Sequence, residues 1–288
     1  MELFQRASNP WGQEILTHID WSLFWWALGV GVVFAVIHLF LRRRLRASEP
    51  AVVAGDHVAG DQRGTVVRHG AVARMFHWVM ALSMLVLLIT GFLPQVGVQF
   101  PWLTLHWVFG FLLIASILFH IVHATFFQSL RNIWISLGDV REWLQEIRHS
   151  MGRGEGPARK PGKYPVDHKL YHHAVTLAGF IAMITGVLMM FRIDSPIWPR
   201  DPYRFSDSTW GVIYVLHGLG GVVLVTLTFA HIYFAILPEK RWITWSMIHG
   251  RITRRDYLAH HDPERWPDER NAVPEATTAA EPAKVQGG

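Results

Sequence analysis

The chain contains no cysteine. That excludes disulfides, iron–sulfur ligation and the C-x-x-C-H attachment of a covalent haem. Any haem would be held without a covalent bond, and any iron–sulfur cluster would belong to another chain. Charged residues are scarce at 17%, and none of the long apolar runs contains an Asp or Glu. Without intramembrane acids or broken inverted repeats, a histidine-relay transporter is weakly supported. The short alternating segments of a membrane β-barrel are absent as well. The first apolar run carries its basic cluster, RRRLR, behind it rather than in front. A cleavable signal has the opposite order, so this run reads as an anchor with its N-terminus outside.

Hydrophobic residues, at 51%, are bunched instead of spread. Five runs are long enough to cross a bilayer: 21–41, 77–97, 102–127, 170–192 and 209–237. Lipid forces each to satisfy its own backbone hydrogen bonds, so the fold class is all-α, an integral membrane helical bundle. The net charge of +5 argues for no nucleic acid, because its residues lie beside the spans. Arg42, Arg43, Arg44 and Arg46 follow the first run, a second basic set occupies 131–169, and Lys240, Arg241, Arg251, Arg254 and Arg255 follow the fifth. The positive-inside rule makes these three regions cytoplasmic, with the N-terminus outside and the C-terminus inside a bacterial inner membrane. Residues 1–46 then form an outer tail and an extra transmembrane helix that lacks the histidine pattern of the rest. Residues 47–67 are a Gly- and Ala-rich linker, 68–261 the main membrane domain, and 262–288 a disordered tail. WISLGDVREWLQEIRHS in the long inner loop reads as an amphipathic surface helix. No repeat recurs at a fixed period.

Within the last run, His217 and His231 are fourteen residues apart. Fourteen helical residues rise about 21 Å and return to within about 40° of the same face. The two imidazoles therefore sit near opposite edges of a hydrocarbon core about 30 Å thick. Polar groups at such depths are costly and usually functional, and imidazole is a haem-iron ligand. Depth pairs His106 with His217 outside and His77 with His231 inside. His120, also fourteen residues after His106, competes with His77 as the inner ligand, and spacing does not separate them. His123 faces a propionate or a quinone. His38, His172 and His173 read first as interfacial, with His172 and His173 also placed to line a quinone pocket. Arg68 and Arg74 precede His77 and suit either haem propionates or positive-inside anchoring. Gly91, Gly110, Gly186, Gly218, Gly220 and Gly221 permit close approach of backbone to a cofactor or to another helix.

Several stretches, in order and spacing over roughly 66–266, carry a family resemblance: VVRHGAVARMFHW, TLHWVFG, GKYPVDHKLYH, ITGVLM, LHGLGGVVLVTLTFAHIY and SMIHGRITRRDYLAHHDPERW. They resemble the cytochrome b (gamma) subunit of respiratory formate dehydrogenases. The resemblance implies a four-helix bundle with two b haems whose iron is held by His77, His106, His217 and His231. It implies electron flow from an iron–sulfur subunit to ubiquinone or menaquinone. It also implies a molybdenum or tungsten catalytic subunit on another chain, and it is compatible with a higher oligomer of the complex. The implied quinone site lies near GKY, with Tyr164, His168 and His172 as candidates. There the family has Asn and Gln where this chain has Pro165 and His168. The extra first helix is not part of the resemblance. A hydrogenase, thiosulfate reductase or other molybdoenzyme would use the same bundle with a different donor. A membrane anchor without electron throughput is the reading from another class.

Overall fold

The structure, a computed structural model, describes residues 2–48, 64–153, 156 and 158–268. Among the described residues, five helices are long and apolar enough to cross a membrane. They are α1 (Ser22–Ser48), α2 (Ala71–Phe92), α3 (Trp102–Phe127), α5 (Val166–Met189) and α6 (Asp207–Ile236). The amphipathic loop segment forms α4 (Leu137–Ser150), started by a capping box in which Ser136 and Asp139 satisfy each other's backbone N–H groups. Asp139 also binds the buried Lys169 ammonium of α5 at 2.9 Å, pinning the surface helix to the bundle.

The bundle is two helical hairpins. α2 packs closely along α3 and α5 along α6, whereas contacts between the two hairpins are sparse. The hairpins repeat one pattern. Ile89-Thr90-Gly91 in α2 matches Ile184-Thr185-Gly186 in α5, and Leu105-His106 in α3 matches Leu216-His217 in α6. Phe76-His77 matches Tyr171-His172, and His120 matches His231. The outer connection of the second hairpin is longer than that of the first, so helices repeat without a fixed period. Equivalent positions share burial: Ser83 with Ala178, Thr90 with Thr185, Leu113 with Leu224.

Two caps close the ends. The first twenty residues are more than an outer tail. They form an antiparallel hairpin of β1 (Phe4–Ser8) and β2 (Glu14–Ile19), with a bulge between Gln5 and Arg6. Asn9 shapes its turn by accepting from the backbone N–H of Trp11 and Gln13. β2 lies so close to α6 that a Cβ on Gly211 would sit 2.2 Å from the Leu16 carbonyl oxygen, and fully buried Ile19 covers Gly218. α1 continues from this hairpin along α6. It is held by a 2.6 Å bond between His38 Nδ1 and the Tyr233 hydroxyl and by Arg42–Glu239 at 2.7 Å.

The other cap pairs β3 (Thr65–Val67) with β4 (Arg251–Thr253), joined to α7 (Arg241–His249) and α8 (Arg254–His260). Val66, Ile252 and Tyr257 form its core, with Trp242 and Trp266 packed against them. Gly250 turns the chain at φ +81, where a Cβ would meet the His69 carbonyl at 2.6 Å. This cap takes in β3, from the expected linker, and residues 262–268, from the expected tail. The remainder of the expected linker, 49–63, and of the expected tail, 269–288, lies outside the described residues.

Candidate functional site

Each of the two depth-matched histidine pairs comes together. The rings of His106 (α3) and His217 (α6) lie 6.1 Å apart between centroids, at the end of the bundle capped by the β1–β2 hairpin. The rings of His77 (α2) and His231 (α6) lie 6.3 Å apart toward the other end. A metal ion with nitrogen bonds of about 2 Å on either side fits such an interval.

The His106–His217 pair is oriented by hydrogen bonds that fix which nitrogen faces the gap. His217 Nδ1 lies 3.0 Å from the Ala182 carbonyl oxygen and 3.1 Å from Thr185 Oγ1. A carbonyl only accepts, so Nδ1 carries the proton and Nε2 keeps its lone pair. Thr90 Oγ1 donates to the Val86 carbonyl at 2.7 Å, so it accepts from His106 Nδ1–H at 2.8 Å. Both imidazoles thus present a metal-binding nitrogen, and their other N–H is held as metal-ligating histidines usually require. Gly91 and Gly186 follow these threonines and give the rings room. A Cβ there would meet His106 Cε1 at 3.6 Å and His217 Cε1 at 3.2 Å. Thr90 and Thr185 carry this positioning and are not among the residues expected from sequence. Their signal is a hydroxyl in the same Ile-Thr-Gly triplet of two apolar helices.

The inner pair is held differently. His77 Nδ1 is buried without a hydrogen-bond partner, and His231 stacks on Tyr171 at 5.2 Å. His120, the competing ligand, faces neither member of a pair. It lies flat on Phe76 at 4.2 Å and 8°. Geometry therefore favours His77 as the partner of His231. Buried Gly179 opens onto space in which a Cβ would meet nothing within 4 Å. The two hydrophobic clusters formed by buried residues lie at the α1–α6 contact and in the inner cap. Paired imidazoles, a fixed tautomer and room beside them suit a planar iron cofactor.

Arg68 is enclosed by the cap, and its Nε–H, like that of Arg74, has no hydrogen-bond partner. It is 2% exposed and donates to His261 Nε2 at 2.8 Å and to the Lys163 carbonyl at 3.2 Å. Its guanidinium lies over the rings of Trp242, Trp266 and Tyr164 at 5.4, 5.6 and 5.9 Å. Arginine only donates, so His261 is neutral at Nε2, and its Nδ1–H donates to the Gly162 carbonyl at 2.7 Å. Burial, then the Arg68 charge, pushes His261 down to about 4. The same causes in the same order push His69 down to about 3. Burial raises Tyr164, and Arg68 partly offsets it. Arg68 is the centre of the inner cap. Arg74 donates to the Ile248 carbonyl and keeps a buried Nε–H with no partner, so it remains available to an anion. Tyr164 lies beneath Arg68, and His168 follows in the first turn of α5. His172 lies one turn after His168 on α5, beside His173.

The nitrate-inducible formate dehydrogenase cytochrome b556 subunit of Escherichia coli K12 is 24% identical over 214 residues, covering 70% of this chain and 89% of its own length. A second formate dehydrogenase cytochrome b556 subunit of that strain is 26% identical, over 71% of this chain and 93% of its own. A probable Ni/Fe-hydrogenase B-type cytochrome subunit of Bradyrhizobium diazoefficiens is 27% identical, over 73% and 94%. Residues 68–250 match the family described as prokaryotic cytochrome b561. That match runs from the buried arginine to the glycine that turns the inner cap and takes in all four paired histidines, so the chain belongs to the prokaryotic cytochrome b561 family: it is a multi-pass membrane cytochrome b, a haem-b electron carrier.

Proposed function

We propose that the chain is the membrane cytochrome b subunit of a formate dehydrogenase complex in a bacterial inner membrane. It takes electrons from an iron–sulfur subunit at its outer face and delivers them to quinone near its inner face. Two b haems are its resident cofactors, one between His106 and His217 and one between His77 and His231. The observation that carries this reading is the pair of facing imidazole couples, 6.1 and 6.3 Å apart, toward opposite ends of one bundle. Iron held by two imidazoles has no open position and supplies one-electron transfer.

The chain's own residues do the rest. Thr90, Thr185 and the Ala182 carbonyl hold the outer imidazoles in the tautomer that binds metal. Ile19 and the β1–β2 hairpin cover the α6 segment that carries His217. Arg74 offers its free Nε–H to a propionate. Tyr164 and His168, near the inner pair, are positioned to meet a quinone ring and its protons. The molybdenum or tungsten centre that oxidises formate lies on another polypeptide. An electron moved inward across a potential that is negative inside costs up to ~2.3 kcal/mol per 100 mV, so two electrons store up to ~4.6 kcal/mol.

Haem quantification of the purified chain with His77, His120, His106, His217 and His231 changed singly to alanine tests the reading. Loss of one haem equivalent is expected from each of the four ligand variants and none from His120→Ala. A reduced-minus-oxidised spectrum on adding formate to the co-purified complex tests the donor. The hydrogenase reading is favoured by the 27% identity to the Bradyrhizobium subunit. A hydrogenase large subunit co-purifying in place of the formate-oxidising subunit would establish it.

A further inference from the structure

The surface helix α4 divides its charges by face. Its three acids all turn toward protein. Asp139 takes the Lys169 ammonium of α5 at 2.9 Å. Glu142 takes two bonds from the Arg265 guanidinium, at 2.5 and 2.8 Å. Glu146 accepts the backbone N–H of Ala158 at 3.0 Å. These acids recur every three or four residues, so they share one side of the helix. At 100° per residue the opposite side carries Leu137, Val140, Arg141, Leu144 and Arg148. All five are exposed, and neither arginine has an ion-pair partner among the described residues.

The helix is held where the spans begin. Lys169 Nζ also donates to the Trp134 carbonyl at 3.2 Å, and the Trp134 ring lies 5.7 Å from that of His173. His173 immediately precedes the uncharged stretch of α5. Tryptophan at that depth suits a membrane–water interface. α4 starts three residues after Trp134, so it starts at the same level. Trp134 is exposed, as are Phe126 and Phe127 at the end of α3. The stripe on α4 continues this apolar surface. Its acidic side meanwhile rests on α5 and, through Arg265, on the segment that joins the β3–β4 cap.

We propose that α4 docks on the leaflet at this end of the bundle and binds anionic phospholipid there. Leu137, Val140 and Leu144 enter the acyl boundary, where their exposure to water ends. Arg141 and Arg148 hold headgroup phosphates, which a guanidinium meets with paired N–H groups. The two arginines are seven residues apart, about 10 Å along the helix, so each reaches its own headgroup. Continuity with the lipid-facing ends of the spans favours lipid over a second protein as the occupant. The inference needs only that the bundle crosses a membrane, and it is independent of donor and acceptor.

The test exploits the absence of cysteine. The full haem-loaded chain with Leu144→Cys carries one nitroxide label and is placed, one chain per disc, in nanodiscs of phosphatidylcholine mixed with phosphatidylglycerol. Collisions with oxygen should exceed those with a water-soluble nickel chelate, with His149→Cys, off the stripe, as the water-exposed reference. Native mass spectrometry of the unlabelled chain then counts retained lipid. Arg141→Gln and Arg148→Gln should each lower phosphatidylglycerol retention about fivefold and leave phosphatidylcholine retention unchanged. Both arginines are exposed and unpaired, so these variants keep the fold. A label at 144 that meets the chelate more than oxygen would overturn the docking. Equal phosphatidylglycerol retention by wild type and Arg141→Gln/Arg148→Gln would overturn the headgroup contact. Shielding of the label from both reagents would overturn the proposal in favour of a protein on this face.

Discussion

Replacing Thr90 with valine keeps a side chain of the same shape and removes one oxygen. Thr90 is 2% exposed, and its hydroxyl accepts from His106 Nδ1–H at 2.8 Å. Before haem binds, a variant His106 can move its proton to Nε2 and leave Nδ1 bare. Once iron takes Nε2, the proton is forced onto Nδ1 and faces valine. Leaving that buried donor unsatisfied costs about 1–3 kcal/mol. At 1.4 kcal/mol per decade, outer haem affinity falls roughly 5- to 150-fold. Thr185→Val is the internal control. His217 keeps the Ala182 carbonyl at 3.0 Å, so only the net worth of one bond is lost, about 0.5–1.5 kcal/mol, or roughly 2- to 12-fold. The assay is haem transfer to an apo-protein acceptor in excess, followed by the reduced-minus-oxidised spectrum. Thr90→Val should shed one haem faster than wild type and faster than Thr185→Val, with the second haem unaffected. If Thr90→Val holds both haems as tightly as wild type, or Thr185→Val sheds faster, the hydroxyls do not set the tautomer.

Other outcomes follow from the same contacts. His77→Ala removes the inner haem while His120→Ala keeps two equivalents; pyridine haemochrome quantification decides, and the reverse result would exchange their roles. The inner cap weakens as pH falls from the ordinary histidine value near 6.5 toward about 4. In that window the unfolded chain binds a proton at His261 that the folded chain, with Arg68 donating to Nε2, excludes. Proteolysis of the 251–268 segment against pH measures this, and His261→Phe should flatten the profile through that window. Gly211→Ala forces a Cβ to 2.2 Å from the Leu16 carbonyl and costs about 1–3 kcal/mol by overpacking. Faster protease cleavage at the β1–β2 turn, with the inner haem intact, is expected, and unchanged cleavage would show that the hairpin does not bear on α6.

The spans and the paired histidines were legible because lipid makes both conspicuous. A helix in hydrocarbon needs an uninterrupted apolar run, and an imidazole within one stands out against it. Depth alone then paired His106 with His217 and His77 with His231. Spacing left His120 and His77 equivalent because the helix returns both to the right depth, and only the packing of His120 onto Phe76 distinguishes them. The β1–β2 hairpin was not legible. Its strands are short and only partly apolar, and their burial depends on Gly211 and Gly218 far along the chain. The enclosure of Arg68 was not legible for a related reason. Beside a span a basic residue ordinarily faces headgroups or an anion, and nothing local shows that Trp242, His261 and Trp266 return to enclose it.

The duplicated hairpins explain why one end of the bundle has one histidine couple and the other end has two. If the hairpins are related by a two-fold axis along the bundle, equivalent positions must pair either with each other or in two copies. His106 and His217 are equivalents, so they meet as a single couple, each served by its own threonine. His77 is equivalent to His172, not to His231, so the inner level necessarily generates His77–His231 and His172–His120 together. Two hairpins with one pattern therefore place His172 and His120 at the positions equivalent to His77 and His231, and what divides the two couples afterwards is local. The rings of His77 and His231 close to 6.3 Å, an interval that suits a metal, whereas His120 lies flat on Phe76 and His172 packs beside His173.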